Sequence, residues 1–483
     1  MSKLYRKSII KTALFSRLLV IFLQYIFNHL ITDHDAGVFL YPRDNVTESF
    51  MDKAVSHFFG GFLRWDAQYF MHIAKYGYTY ENTVAFFPLF PLLGNSLAKC
   101  LSFIHFLSED SLILLVFMIV NLLVFVQTAL ILFDLSRKFH SEKFSYYSAI
   151  LFCWNPASVF FSSPYTECIF SCLTFWSMLN CIVLYEKYAY FRRRIEPQDL
   201  LYLLPIALGT ITRSNGVLNL GFYLYILACM FLRIFIQIKG AFLFSIIKKF
   251  FLFLSFLMLI FLGMILCLSP FHAFQLFSYN LFCKDFTVNL PIQVETYAKE
   301  NNFVLLGTYS KHNQSWCNSR LPMAYSYVQK HYWNVGLFSY YEFKQIPNFL
   351  LAAPILIIFI VNCRKYIKVN FPKNVIDIFN LDISPPRTHL IFENPHIYVF
   401  IIHGLILSIF CILFVHIQVS TRFLCSSSPL LYWFSAYYMM DDDKFCDMTD
   451  FKMFSTKKKY ILSYYLTYFL VGIALFCNFL PWT

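Results

Sequence analysis

Ten predominantly apolar runs, each long enough or nearly long enough to cross a bilayer, lie at about residues 11–31, 111–133, 144–162, 166–185, 216–238, 243–269, 346–363, 396–417, 420–438 and 460–480; a shorter run near 200–212 makes an eleventh. The hydrocarbon core of a bilayer is about 30 Å thick and takes ~20 helical residues to cross. Nothing inside it except protein can pair a backbone amide. So many such runs point to one class of fold, an all-α polytopic membrane protein, read here as a single multi-pass domain over residues 1–483. Composition agrees, with 58% of residues hydrophobic, 14% charged and a mean hydropathy of +0.57. A net charge of +12 would suit a nucleic-acid partner, but the Lys and Arg fall in short clusters between apolar runs. Topology accounts for clusters placed that way, and no nucleic acid is expected. The first run, about Lys11 to Ile31, is followed by no clear small-residue cleavage site and reads as an uncleaved anchor. Fourteen cysteines, mostly inside apolar runs and without CxxC or His/Cys zinc spacing, read as small buried hydrophobes.

One further apolar stretch, residues 84–107, is treated differently. Pro88 and Pro91 in "AFFPLFPLL" break its start, and Lys99 and His105 sit in its remainder, so it reads as a re-entrant or surface element that does not cross. That choice fixes the side of every later loop. With the basic N-terminus in the cytosol, Arg137/Lys138, Arg192/Arg193/Arg194, Lys248/Lys249, Arg364/Lys365 and Lys457/Lys458/Lys459 all fall in the cytosol, as the positive-inside tendency requires. Counting 84–107 as a span would put most of them on the wrong side. The large loops at 32–110 and 270–345 then become luminal, and they hold the sequons Asn45-Val-Thr and Asn313-Gln-Ser. Cys283 and Cys317 share the second of these loops, as a disulfide or as two thiols.

Charged residues beside lipid are costly, so each one is a question. In "LRWDAQYF", Asp66 precedes a stretch with Phe70, Ile73, Ala74 and Gly77 at helical spacing. The spacing predicts a short amphipathic helix at the membrane surface, with Asp66 as N-cap, Gly77 as C-terminal stop and Trp65 as interfacial anchor. It fits equally a carboxylate at the water–lipid boundary acting as general base for a hydroxyl. Arg213 in "ITRSNG" and Arg422 in "VSTRFLCSSSP" both fall at luminal ends of apolar runs, each in a Thr-Arg step. There a guanidinium either snorkels to carbonyls or pairs with a phosphate. Ser163, Pro164 and Glu167 in "SSPYTECIF" read as N-cap, first-turn proline and first-turn acid of the next span. Aromatics with Gln329, His331, Asn334, Glu342, Lys344 and Gln345 lead into the run at 346–363, as a sugar-stacking surface or an interfacial belt.

The stretches "RWDAQYFMHIAKYGYTYENTVAFFPLFPLL", "TRSNG", "YSYVQKHYWNVGLFSYYEFKQIPNFLLAAP" and "HIQVSTRFLCSSSPLLYWF" resemble the PIG-V family, the second mannosyltransferases of glycosylphosphatidylinositol (GPI) anchor synthesis. With the order and lengths of the spans between them, the resemblance covers most of the chain. It is weakest near residues 366–395 and 440–459. It implies a GT-C glycosyltransferase architecture of about eleven transmembrane helices, in the endoplasmic-reticulum membrane with a luminal site. It also implies transfer of mannose from dolichyl phosphate mannose to a GPI precursor that already carries one mannose, in α1,6 linkage. A catalytic acid in the first luminal loop is expected of such enzymes, and the matching position is Asp66 beside Trp65. The quoted stretches supply the expected substrate-binding residues Trp65, Arg64, Arg213, Asn215, Arg422, Gln418, Trp333 and Asn334. No cofactor or metal ion is expected, because a leaving monophosphate can be met by arginines alone. A protein partner is not assigned. The competing readings are another dolichol-phosphate-sugar transferase, and a transporter or scramblase of lipid-linked sugars.

Overall fold

A computed structural model describes residues 2–44, 48–189, 196–238, 242–372, 374–379, 381, 391–440 and 456–482. The sequon at Asn45 and the arginines at 192–194 lie outside them. From the N-terminus the helices are α1 (Ser2–Leu30), α2 (Phe50–Phe59), α3 (Asp66–Tyr76), α4 (Leu89–Cys100), α5 (Glu109–Phe139), α6 (Glu142–Cys153) and α7 (Glu167–Ala189). There follow α8 (Leu204–Thr210), α9 (Leu220–Gln237), α10 (Phe242–Phe282), α11 (Ile292–Asn301), α12 (Tyr309–His312) and α13 (Ala324–Trp333). The chain ends with α14 (Ile346–Val369), α15 (Tyr398–Leu413), α16 (Ser420–Ser427), α17 (Leu430–Met440) and α18 (Thr456–Cys477). Among the described residues there is no β-strand, only two isolated bridges. The protein is an all-α polytopic membrane protein.

Eight of the expected crossings, built on α1, α5, α7, α9, α10, α14, α15 and α18, are helices long and apolar enough to span a bilayer. The other three runs are interrupted. The run at 144–162 is α6, a turn holding Pro156, and a 3-10 helix Ser158–Phe161. The run at 200–212 is a 3-10 helix Pro197–Leu203 leading into α8. The run at 420–438 is α16 and α17, split at Ser428 and Pro429. Proline has no N–H to continue a helix and frees the carbonyls before it, which must find donors within the protein. Arg17 of α1, 1% exposed, donates across the first break, to the Cys153 carbonyl before Pro156 at 3.3 Å and to the Ser158 carbonyl after it at 2.7 Å. The Tyr432 hydroxyl does so at the third, donating to the Cys425 carbonyl at 2.8 Å.

Helix α7 is the axis of the bundle. The most apolar stretch of its span is 72% buried, against 17% for α10, whose Phe244, Phe250, Phe251 and Phe261 face outward. Side chains of that kind are stable outward only in lipid. Helix α10 also runs through Pro270 to Phe282, so the second large loop begins later than the expected residue 270. Gln275, inside the expected loop, is helical and buried, and its Oε1 accepts the Tyr325 N–H at 3.2 Å.

Residues 84–107 form the end of a 3-10 helix (Glu81–Ala85), then α4 and a turn. A twelve-residue helix is about 18 Å long, well short of the ~30 Å needed to cross. It packs on α5 through Phe90 and Phe117, whose rings stack at 4.2 Å, and through Gly94, where a Cβ would lie 2.3 Å from the Phe117 ring. The two large loops fold onto one another. Tyr80 bridges Leu305, and the Glu81 carboxylate receives the Trp316 indole N–H and the Tyr332 hydroxyl, each at 2.8 Å. Burial pushes the Glu81 carboxyl above its ordinary range, against the pull of those two donors. Cys283 and Cys317 form a disulfide, which decides between the two readings of that pair.

Candidate active site

The turn before α3 sets the site. Trp65 has φ 55°, a left-handed conformation that costs a non-glycine residue about 1–3 kcal/mol. The Tyr165 hydroxyl holds the turn, accepting the Asp66 N–H at 3.0 Å and donating to the Arg64 carbonyl at 3.3 Å. Gly77 ends the helix at φ 74°, with its N–H bonded to the Ile73 carbonyl, as the spacing predicted. Asp66 itself is the first helical residue and not the N-cap. The cap position is Trp65, with no side-chain cap bond, and the Asp66 carboxylate is turned to a side chain from the far end of the sequence. Nor does α3 lie on a surface. Ala67, Gln68, Phe70, Met71, His72, Ile73 and Ala74 are all buried, because α4 and α5 cover one side and Phe39 and Tyr80 another. Trp65 is partly buried, with its indole nitrogen enclosed and edge-on to Phe479 at 6.1 Å, so it is an inner residue and not an interfacial anchor.

Arg422 Nη1 donates to Asp66 Oδ2 at 2.7 Å. The same nitrogen lies 3.6 Å from Glu167 Oε1, and Arg213 Nη1 reaches that oxygen at 2.5 Å. Two carboxylates and two guanidinium groups, from four separate segments, thus form one chain of ion pairs. Arg213 is delivered by a break in its run, Arg422 by a helix. Arg213 is extended, φ −154°, between α8 and the 3-10 helix Ser214–Asn219, and Gly216 lets that helix close, since a Cβ there would lie 2.3 Å from the Gly209 carbonyl oxygen. Arg422 stands in α16, over the rings of Phe160 and Tyr165 at 5.3 and 5.5 Å. A guanidinium held between acids and ring faces keeps its charge without bulk water.

One element of this cluster was not expected. The sequence pattern predicts Glu167 as a first-turn acid behind a Ser163 cap. Ser163 does not cap α7: its hydroxyl donates back to the Val159 carbonyl at 3.0 Å, and α7 begins at Glu167. The signal that would have found Glu167 is a charge count, because two arginines beside lipid need two anions and Asp66 supplies one.

The other expected site residues are spread around the cluster. Asn215 donates to the Ser427 hydroxyl at 3.2 Å, linking the Arg213 and Arg422 segments. Trp333 packs edge-on to Tyr69 and Phe86, 6.0 Å from each, and Tyr69 lies one turn beyond Asp66 on α3. Burial raises the Tyr69 phenol, and the Asp66 charge adds to this. Asn334 caps α13 at φ 51° and is exposed, and Gln418 accepts the Tyr340 hydroxyl at 2.6 Å. His331 stacks on Tyr327 at 5.1 Å in an exposed position. Arg64 does not join the cluster. Its nitrogens bond the Cys477 and Gly60 carbonyls, Asn28 and Asp33, all at 2.9 Å, and it covers the Phe479 ring. It fastens the turn to α1 and to the C-terminal end of α18.

The mannosyltransferase (PIG-V) family model matches residues 6–483. The chain belongs to the PIG-V mannosyltransferase family. Relatives in this family include "GPI mannosyltransferase 2" of Drosophila pseudoobscura pseudoobscura, 37% identical over 99% of this chain and 100% of the relative. "GPI alpha-1,6-mannosyltransferase 2" of Homo sapiens is 33% identical over 99% of each chain. No solved structure matches the chain. In this PIG-V mannosyltransferase the cluster gathers the carboxylates of Asp66 and Glu167 and the guanidinium groups of Arg213 and Arg422.

Proposed function

We propose that the chain transfers the second mannose of a GPI anchor, in α1,6 linkage, from dolichyl phosphate mannose to a one-mannose precursor on the luminal face of the endoplasmic reticulum. The relatives' names support the acceptor and linkage, and the threading of basic loops supports the side. The observation that carries the chemistry is the contact of Asp66 with Arg422, and of Arg422 and Arg213 with Glu167. The acceptor's 6-hydroxyl oxygen bonds to the anomeric carbon as the bond from that carbon to the phosphate oxygen breaks. A β-linked donor and an α-linked product require a single inverting displacement. Asp66 takes the hydroxyl proton, a step worth on the order of a hundredfold or more. The phosphate gains one negative charge as it leaves, and Arg213 and Arg422 meet that charge where it develops. Both substrates keep their chains in lipid while Trp333 and Tyr69 offer ring faces to the sugars.

Purified chain given dolichyl phosphate mannose and a one-mannose acceptor in detergent should form a two-mannose glycolipid with an α1,6 bond. Movement of either lipid across a vesicle membrane without any bond formation would instead identify a transporter, and activity only on other glycan precursors would identify a different transferase of the same donor class.

A further inference from the structure

Glu167 is 1% exposed, and a carboxylate so placed needs a reason. Its Oε1 is shared by Arg213 and Arg422, while its Oε2 and the Nε of Arg422 are buried with no hydrogen-bond partner among the described residues. The proposed base is meanwhile held: Asp66 Oδ2 is bonded to the Arg422 guanidinium at 2.7 Å, so the oxygen that would receive the acceptor's hydroxyl is already occupied. For Asp66 to act, Arg422 must give it up.

Resting on the mannosyl-transfer reading above, we infer that Glu167 is a positioning residue which keeps Arg422 supplied with a counter-ion, so that the donor's phosphate draws Arg422 off Asp66 and frees that carboxylate for the acceptor's proton. The charges make this work. Two arginines and two carboxylates cancel before substrate arrives. The donor's phosphodiester brings in one negative charge. In the transfer the leaving phosphate gains a second while Asp66 loses its own by taking the acceptor's proton. The charge facing the two arginines thus moves from the acid to the phosphate, and the total is unchanged. The groups facing Asp66 are Arg422 of α16, Tyr69 on α3 and Tyr165 ahead of α7, with Glu167 and Arg213 beyond Arg422. Donor binding and base release are then a single event, and a hydroxyl is not deprotonated before the sugar donor is in place.

The test is Glu167→Gln in the full-length chain, assayed for mannosyl transfer across pH. Its cluster starts one charge more positive, so phosphate binding leaves Asp66 paired. The expected result is a fall of about tenfold or more in kcat with the donor KM unchanged or lower. The acid limb of the pH profile should move down by about one unit. Glu167→Asp, which restores the charge, should recover part of both. Arg213→Gln shifts the balance the other way and should move the acid limb upward, a readout that stands even if Glu167→Gln does not fold. A normal kcat and limb in folded Glu167→Gln, or a downward shift in Arg213→Gln, overturns the inference. Asp66→Asn measured alongside separates the two claims: full turnover there removes the reading of Asp66 as base, whereas its loss beside a normal Glu167→Gln removes only the role of Glu167.

Discussion

The carboxylate of Asp66 and the guanidinium of Arg422 meet at 2.7 Å although 356 residues separate them. The contact joins the first turn of α3 to α16 and closes the site between the N-terminal and C-terminal parts of the bundle. In the proposed reaction this arginine leaves the acid for the phosphate, so it needs both a permanent charge and a planar fork.

Arg422→Lys is therefore not a conservative change. The ammonium keeps the charge but neither spans two oxygens nor lies flat on Phe160 and Tyr165. The expected loss is about tenfold to a hundredfold in kcat/KM for the donor, ~1.4 to 3 kcal/mol of transition-state binding. Steady-state transfer at varied donor concentration measures it, and wild-type kcat/KM would remove Arg422 from the donor site.

Arg64→Ala should behave in the opposite way. Arg64 spends its donors on Cys477, Gly60, Asn28 and Asp33, and charged hydrogen bonds of this kind are worth about 1.5–3 kcal/mol when their partners are left unpaired. A lower melting temperature with donor and acceptor KM unchanged is expected. A raised KM at unchanged stability would return Arg64 to the substrate.

The buried histidine of α3 gives a pH dependence with a definite sign. His72 donates or accepts only at Thr79, 2.6 Å away, stacks on Tyr80, and is held down to about 3 by burial. In the unfolded chain it titrates near 6.5, so its folded value is depressed. The stability it contributes is whole above ~6.5 and is lost as pH falls from there toward the folded value, at about 1.4 kcal/mol per pH unit. The melting temperature of detergent-solubilised protein should fall between about pH 6.5 and 5, and less steeply in His72→Gln. An equal slope in the variant would place the acid sensitivity elsewhere.

In the proposed reaction two arginines meet the leaving phosphate, which leaves no step to a divalent cation. Transfer by the purified chain should be unchanged in excess EDTA. Loss of all activity in the chelator, with recovery on adding manganese, would refute this.

The sequence showed its spans plainly because twenty apolar residues in a row have few other uses, and it showed Asp66, Arg213 and Arg422 because charge beside lipid demands a partner. It did not show that three of the runs break, although Pro156 and Pro429 mark two of the breaks, since run length counts residues and not hydrogen bonds. Glu167 was hidden by a sufficient local explanation: an acid at a helix start suits the dipole, and nothing nearby in sequence announces the two arginines it holds. Arg64 was drawn toward the substrate by standing two residues from Asp66, whereas its partners Asn28, Asp33 and Cys477 are distant in the chain and only the fold brings them in.

Turnover of Asp66→Asn at saturating donor and acceptor decides whether this carboxylate takes the proton. The amide keeps the size of the carboxylate and a weak bond to Arg422, and it removes the basicity. A fall in kcat of about a hundredfold or more is expected in protein that remains folded; near-wild-type turnover would mean that Asp66 is not the base.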